Sequence, residues 1–219
     1  MEGENKNVIV LAGMIGAGKS TITKLIAEDL KSEAFYEHVD DNQLLEKFYK
    51  NPERWAFSLQ IFFLNTRFRS IKKALTHHNN VLDRSIYEDE LFTRINYEQG
   101  NMSAAELTLY TDLLNNMMEE LDGMPKKAPD LLIYLRGSLD THLERIKKRG
   151  RSYEQIEGNT ELYNYYEHLH SRYDTWFNEY DKSPTLIIDI DKYNVERVED
   201  KQEVLDIIKK KLGYISVHV

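Results

Sequence analysis

Short apolar runs alternate along the chain with segments long enough to be helices. Five of these runs are rich in aliphatic or β-branched residues, as strands are. They are Asn7 to Leu11, Phe35 to Val39, Asn80 to Asp83, Leu131 to Leu135 and Thr185 to Ile190. The alternation predicts an α/β fold in which a five-stranded parallel sheet carries helices on both faces. The final run, Tyr214 to Val219, predicts an additional small edge strand.

Three of the intervening segments have a helical spacing of apolar residues. The clearest stripe places them three or four positions apart. Its members are Leu162, Tyr165, Tyr166, Leu169, Tyr173, Trp176 and Phe177. We interpret this stripe as a packing surface rather than as a platform for stacking bases. Two long helices are predicted from Pro52 to Ala74 and from Ala104 to Leu121, and the second could pack against the first or against another subunit.

Composition limits the classes of protein to which this chain could belong. Its 219 residues contain no internal repeat or Pro/Gly/Ser-rich linker, so we expect a single domain, residues 1–219. It has no cysteine, which excludes disulfides and thiolate metal sites, and no signal peptide or membrane segment is recognisable, so we expect a cytoplasmic protein. The formal net charge of −8 disfavours nucleic-acid and anionic membrane partners. His77 and His78 lie in a predicted turn without a third ligand, and we interpret them as loop residues.

The first strand runs directly into a glycine-rich loop, LAGMIGAGKST. The spacing G-x-x-x-x-G-K-[ST], between a strand and a helix, is satisfied by Gly13, Gly18, Lys19 and Ser20. We therefore predict a nucleoside triphosphate site, in which Lys19 reaches the β- and γ-phosphates and the Ser20 hydroxyl binds Mg²⁺. An ordinary glycine turn is the alternative, which the complete spacing disfavours. The predicted phosphate site comprises Gly13, Gly16, Ala17, Gly18, Lys19, Ser20 and Thr21.

Charged residues stand at the ends of two predicted strands, where open α/β sheets bind their ligands. Asp83 could hold Mg²⁺ through water, and Arg84 could neutralise charge on a transferring phosphoryl group. A solvated acid–base pair is the alternative. Glu37 is suited to take a proton from a hydroxyl near the phosphate loop. Asp40 and Asp41 are expected to face water and to cap the next helix.

Basic residues are concentrated between residues 145 and 154 of an otherwise acidic chain. We interpret Lys147 and Lys148 as a solvated helix face. Arg145 and Arg149 are four positions apart, and Arg151 follows a glycine. This arrangement predicts a mobile segment that closes arginine forks over triphosphate oxygens and excludes water.

Together these features resemble the deoxynucleoside kinase family over nearly the whole chain. The resemblance implies the P-loop kinase fold with an arginine-rich lid at about residues 145–157, ATP as donor, Mg²⁺, and a homodimer formed through the long helices. Such kinases phosphorylate the 5′-hydroxyl of a deoxynucleoside. Glu37 matches the general base and Arg84 the arginine near the reacting oxygen, and with Lys19 they form the expected catalytic set. Tyr49 and Glu154 match the pair that holds the sugar 3′-hydroxyl.

The same resemblance assigns the base pocket. Gln60 matches the glutamine that hydrogen-bonds the base edge, while Arg67 matches an arginine that contacts the base region and its paired acid, Asp89. This pair favours purine deoxynucleosides or deoxycytidine over thymidine, and we predict deoxyadenosine or deoxyguanosine, with deoxycytidine open. The sequence departs from the family at Asp83, where many relatives carry glutamate, and at His38, where proline often follows the base.

Two other functions are compatible with a phosphate loop. A nucleoside monophosphate kinase of the thymidylate type also combines this loop with an Asp-Arg pair and a lid, but its acceptor is a phosphate and needs no strong base. A regulatory nucleotide switch would bind the triphosphate without transferring it. Glu37 and the pair of Tyr49 and Glu154 favour a neutral hydroxyl as acceptor, so ATP-dependent phosphorylation of a deoxynucleoside is the preferred prediction.

Overall fold

Five parallel strands form one sheet at the centre of the molecule. The computed structural model describes residues 7–37, 42–76, 79–122 and 128–218. The strands are β1 Val8–Ala12, β2 Glu33–Phe35, β3 Asn80–Leu82, β4 Leu131–Arg136 and β5 Thr185–Asp189. Their order across the sheet is β2-β3-β1-β4-β5, and every pairing is parallel. The predicted five-stranded parallel α/β sheet is confirmed.

Eight α-helices connect and cover the strands in the described parts of the chain. They are α1 Lys19–Leu30, α2 Gln43–Lys50, α3 Pro52–Thr76, α4 Asp89–Glu98, α5 Ala104–Asp122, α6 Leu139–Arg149, α7 Thr160–Glu179 and α8 Val198–His218. Short 3₁₀ helices precede α4 at Ile86–Glu88 and follow α6 at Ser152–Glu154. None of the helices in the described ranges has both the length and the apolar character that a bilayer crossing requires.

Alternate side chains of the strands point to opposite faces of the sheet, so the core has a layer on each face. Ile9 and Leu11 of β1 pack with α1 and α8, whereas Val8 and Val10 pack with α3 and α5. This alternation follows from the two-residue period of a strand, and burial on both faces explains why β1 is apolar throughout. The stripe on α7 lies in the core beside α2 and α3, which confirms that it is a packing surface.

The predicted bounds of the second strand are wrong. β2 begins at Glu33 and ends at Phe35, so Tyr36 and Glu37 lie beyond it. The β2 ladder is short because it pairs on one side with the three residues of β3, after which the Phe35 carbonyl accepts a hydrogen bond from the Asp83 N–H at 2.9 Å. Val39, like His38, Asp40, Asp41, His77 and His78, lies outside the described residues.

The predicted edge strand at the end of the chain is also wrong, because α8 continues through His218. Gly213 does not interrupt this helix, since its φ is not among the positive values at which glycine would end one. Helix propagation adds one hydrogen bond for each residue that is ordered, so an established helix extends through residues of modest helix propensity. Buried Val204, Leu205 and Ile208 anchor α8 upstream.

Candidate active site

The loop between β1 and α1 has the backbone geometry of a phosphate cradle. Gly16 and Gly18 have φ values of +81° and +88°, which side-chain-bearing residues rarely adopt. A Cβ on Gly16 would also lie 2.6 Å from the carbonyl oxygen of His142. Gly18 is the N-cap of α1 and supplies no side-chain cap. The first N–H groups of α1 therefore have no side-chain acceptor at the cap position, and an anion can take that place.

Lys19 folds back over this loop. Its Nζ donates to the carbonyl oxygens of Gly13 at 2.6 Å and Met14 at 3.1 Å. Burial, reinforced by the nearby Arg84, lowers the pKa of Lys19 to about 8. An anion close to Nζ would favour its charged form, which is the behaviour expected of a phosphate ligand.

Ser20 and Asp83 meet at the start of α1 and the end of β3. The Ser20 hydroxyl donates to the Asp83 carboxylate. Burial raises the pKa of Asp83 to about 6, and Lys19 and the Ser20 hydrogen bond act against that shift. The described residues contain no cluster of three or more His, Cys, Asp or Glu that could hold a metal by themselves. One hydroxyl and one carboxylate nevertheless suit Mg²⁺, which takes oxygen ligands and is completed by water and substrate phosphates.

Glu37 is held between two buried arginines. It forms an ion pair with Arg67, and Arg84 Nε lies 3.3 Å from its Oε1. Burial alone would raise the pKa of Glu37, but the charges of Arg84, Arg67 and Lys19 hold it below its ordinary value. Glu37 is therefore an ionised acceptor at neutral pH.

The predicted base-reading residues adjoin Glu37 through Arg67. Arg67 forms a second ion pair with Asp89, the first residue of α4. Gln60 lies two helical turns before Arg67 on α3, and all three side chains are buried. The structure thus brings Gln60, Arg67 and Asp89 together.

Tyr166 bridges the two predicted sugar-binding residues, Tyr49 and Glu154. Tyr166 on α7 donates to the Glu154 carbonyl oxygen at 3.2 Å, and its hydroxyl lies 3.5 Å from that of Tyr49. The Glu154 carboxylate accepts from Arg149 at 2.5 Å and from Arg151 at 3.4 Å. Two of the predicted lid arginines are therefore paired with a predicted sugar ligand.

Arg145 is placed differently from the other two arginines. It donates to the carbonyl oxygens of Ala17 at 2.8 Å and Ile190 at 3.0 Å, which ties α6 to the phosphate loop and to the end of β5. Its contact with phosphate stays a prediction, as does closure of the segment from 145 to 157.

One cavity of about 880 Å³ joins these groups. The predicted residues that line it are Gly16, Gly18, Lys19, Ser20, Thr21, Glu37, Tyr49, Gln60, Arg67, Asp83, Arg84, Asp89, Arg145, Arg149, Arg151 and Glu154. Gly13 and Ala17, which are also in the predicted phosphate site, do not line it. Apolar side chains such as Phe48, Phe63 and Phe92 provide flat surfaces between the polar groups. The volume lies in the range of small-molecule and cofactor sites.

Sequence reasoning missed three buried polar residues at this site. Glu88 is fully buried and accepts a hydrogen bond from the Gly13 N–H at 2.9 Å. Its spacing from Ser85 forms a capping box, a signal that was readable in the sequence. Tyr173 belongs to the packing stripe, but its hydroxyl also donates to Glu88 at 2.9 Å. His142 Nδ1 donates to the Ile15 carbonyl oxygen at 3.1 Å, a tertiary contact that had no local signal.

Comparisons with known proteins agree with this geometry. The chain matches the family model described as "Deoxynucleoside kinase" over residues 9–212. It is 54% identical to a deoxyguanosine kinase of Lactobacillus johnsonii, with 94% of this chain and 92% of the relative covered. It is 48% identical to a deoxyadenosine kinase of Lactobacillus acidophilus, with 95% and 98% covered.

A solved structure has the same architecture. The deoxyadenosine kinase from M. mycoides with bound dATP superposes with a TM-score of 0.76 at 34% identity, and the match covers 94% of this chain and 99% of that one. The structure thus combines a parallel sheet with a glycine-rich loop that is surrounded by buried acidic and basic residues. The same chain matches one family along almost its whole sequence. This chain belongs to the deoxynucleoside kinase family.

Proposed function

We propose that this protein transfers the γ-phosphoryl group of ATP to the 5′-hydroxyl of a purine deoxynucleoside, either deoxyguanosine or deoxyadenosine. The observation that carries the proposal is the Glu37 carboxylate, which is ionised, half-buried and adjacent to Arg84 in a cavity that reaches the phosphate loop. A carboxylate in this position can accept the hydroxyl proton as the oxygen attacks phosphorus. The names of the relatives, deoxyguanosine kinase and deoxyadenosine kinase, support a purine deoxynucleoside as acceptor.

The donor binds with its phosphates on the loop from Gly13 to Thr21. Lys19 leaves the loop carbonyls to contact phosphate oxygens. Ser20 and Asp83 would hold Mg²⁺, which would neutralise phosphate charge. Arg149 and Arg151 close over the triphosphate as part of the lid. Because both already pair with Glu154, their movement also frees this carboxylate for the sugar.

The acceptor binds with its base between the phenylalanine rings and against Gln60, Arg67 and Asp89. Tyr49 and Glu154 hold the 3′-hydroxyl, which fixes the 5′-oxygen near Glu37. In the reaction a bond forms between the 5′-oxygen and the γ-phosphorus, and the bond from that phosphorus to the β–γ bridging oxygen breaks. The proton passes to Glu37, and ADP leaves with Arg84 stabilising the charge that develops.

We further propose a homodimer formed through the long helices α3 and α5. The support is the resemblance to the family, which implies a homodimer, and the exposed Leu109 on α5, with an accessible fraction of 58%, is compatible with an interface there. A second copy of the chain would cover it. A cytoplasmic location stays a prediction.

A substrate panel tests the proposed activity. The purified protein is incubated with MgATP and each of the four deoxynucleosides, in parallel with the four deoxynucleoside monophosphates, and ADP formation is followed. We expect ADP to form with deoxyguanosine or deoxyadenosine. Preference for deoxycytidine would keep the kinase activity and correct the base pocket, whereas turnover with monophosphates alone would favour the thymidylate-type reaction. MgATP binding without any turnover would favour the regulatory switch.

The role of Glu37 is tested by Glu37→Gln. An amide cannot take the proton, so we expect kcat to fall by about 100-fold or more, while the Kd for MgATP stays close to that of the parent. The matched control is Glu46→Gln on α2, an exposed glutamate that pairs with Lys50. A kcat for Glu37→Gln near the parental value would remove Glu37 from the mechanism.

A further inference from the structure

A fully buried carboxylate, Glu88, lies against the phosphate loop and receives four hydrogen bonds. Gly13 N–H donates to its Oε1 at 2.9 Å, and Ser85 N–H donates to its Oε2 at 3.1 Å. The Tyr173 hydroxyl donates at 2.9 Å and Arg84 Nη1 at 3.3 Å, both to Oε1. All four partners present hydrogens, so an ionised carboxylate, which only accepts, suits the position, whereas an amide would turn a donor toward a donor.

These contacts join three separate parts of the fold. Gly13 belongs to the phosphate loop, Arg84 and Ser85 follow β3, and Tyr173 comes from the middle of α7. The Tyr173 hydroxyl also lies 3.3 Å from Arg84 Nη1, so Tyr173 and Glu88 contact the same end of the guanidinium. At its other end, Arg84 Nε faces Glu37.

We infer that Glu88, together with the hydroxyl of Tyr173, is a positioning residue for phosphoryl transfer that fixes the guanidinium of Arg84 relative to the phosphate loop. The inference rests on the proposed function, because it concerns the arginine that stabilises the transferring group. An arginine side chain has large rotamer freedom, and catalysis of this kind depends on charges that are in place before the reaction begins. Contacts at both ends of Arg84 restrict that freedom.

Tyr134 on β4 provides a matched control for Tyr173. The two rings are nearly parallel, with centroids 6.0 Å apart, and both residues are buried. The Tyr134 hydroxyl also donates to a carboxylate, that of Asp174 at 3.1 Å. Tyr134 does not line the cavity. Removing either hydroxyl therefore deletes one buried tyrosine–carboxylate hydrogen bond, but only Tyr173 contacts Arg84.

The experiment measures kcat, KM and melting temperature for the parent, Tyr173→Phe and Tyr134→Phe. Because a hydrogen bond to a charged group is lost at Arg84, we expect Tyr173→Phe to lower kcat by about 10- to 100-fold, with each KM changed by less than about threefold. This pattern is expected when an interaction acts in the transition state rather than in substrate binding. Tyr134→Phe should keep kcat within about twofold of the parent, even if its melting temperature falls as much as that of Tyr173→Phe.

Glu88→Gln extends the test to the loop. It should lower kcat more than Tyr173→Phe does and also weaken MgATP binding, since the amide cannot accept from both Gly13 and Ser85 as the carboxylate does. If this variant does not fold, the comparison of Tyr173→Phe with Tyr134→Phe decides the matter. Equal kcat values for the two phenylalanine variants would overturn the inference. The proposed function would still stand in that case, provided that the parent phosphorylates a deoxynucleoside. A parent that phosphorylates no deoxynucleoside would instead overturn the proposed function and this inference with it.

Discussion

His142, a buried residue beside the phosphate loop, makes the stability of the fold depend on pH. Its ring is 2% exposed and donates from Nδ1 to the Ile15 carbonyl oxygen. Burial lowers the pKa of His142 to about 3, and the nearby His170, Lys19 and Arg145 act in the same direction. Between about pH 3 and pH 6.5, the unfolded chain therefore binds a proton at this site that the folded chain excludes. Stability should rise with pH through that window and be lost as the pH falls.

The prediction is that His142→Asn reduces this acid sensitivity. Asparagine can keep a donor near the Ile15 carbonyl but does not titrate. The free energy of unfolding of the parent should fall by about 2 kcal/mol more between pH 7.5 and pH 5 than that of the variant. Urea unfolding at the two pH values measures the difference. Leu143→Ala on the same helix serves as control and should lower stability equally at both, whereas a parallel fall in the parent and His142→Asn would contradict the assignment.

At the residue scale, motifs with fixed local spacing were readable from the sequence, and contacts between distant segments were not. The loop spacing singled out Lys19 and Ser20, and family resemblance paired Arg67 with Asp89, which the structure joins by an ion pair. Glu88 escaped notice because two of its four donors, Gly13 and Tyr173, come from distant parts of the chain. Tyr173 was correctly read as a packing residue, but an apolar stripe cannot reveal where a hydroxyl points.

At the scale of elements, the sequence predicted the order and type of the strands better than their ends. The runs of β1 and β4 were clear because strands buried on both faces are apolar throughout, whereas β2 and β5 are only partly buried. The predicted end of β2 and the predicted strand at the end of the chain were wrong because neither depends on local sequence alone. β2 ends where its pairing with β3 ends, and α8 extends through residues that resemble a strand because it is already nucleated upstream.

The anchoring of α8 gives a prediction about stability. Ile208 is 1% exposed in the layer that α8 shares with α1 and the sheet. Ile208→Ala should lower the free energy of unfolding by about 2–5 kcal/mol, because it removes buried methylene groups and leaves a cavity. Denaturant titration measures this loss, and kcat should be unchanged at a temperature where the variant is folded. Lys210→Ala, at an exposed position of the same helix, should cost less than about 0.5 kcal/mol. If Ile208→Ala lowered the free energy of unfolding as little as Lys210→Ala, α8 would not anchor the core.

At the scale of the whole molecule, charge is distributed unevenly. The chain carries a net charge of −8, yet Lys19, Arg67, Arg84, Arg145, Arg149 and Arg151 all line one cavity. Six carboxylates line the same cavity, so these cations lie among acidic groups rather than forming an unbalanced positive patch. Most of these cations are paired with carboxylates or carbonyl oxygens, so ligand binding must exchange existing contacts for new ones. The fold thus provides a polar cavity whose interactions are already satisfied before substrates arrive.

The proposed homodimer leads to the last prediction. Leu109 lies on the outer side of α5 with 58% of its surface exposed. If a second copy covers it, Leu109→Arg places a charge in an apolar interface and should convert the dimer to a monomer, because an unpaired buried charge is costly. Light scattering coupled to size exclusion should then give the mass of two 25.9 kDa chains for the parent and of one for the variant.

The matched control for the dimer is Val198→Arg, at the start of α8, where the side chain is 77% exposed and apolar. It adds the same charge to a different surface and should leave the dimer intact. A parent with the mass of a single chain, or a Leu109→Arg variant with the mass of two, would contradict an interface through α5. A monomeric Val198→Arg variant would instead place the contact on the side of the molecule that α8 covers.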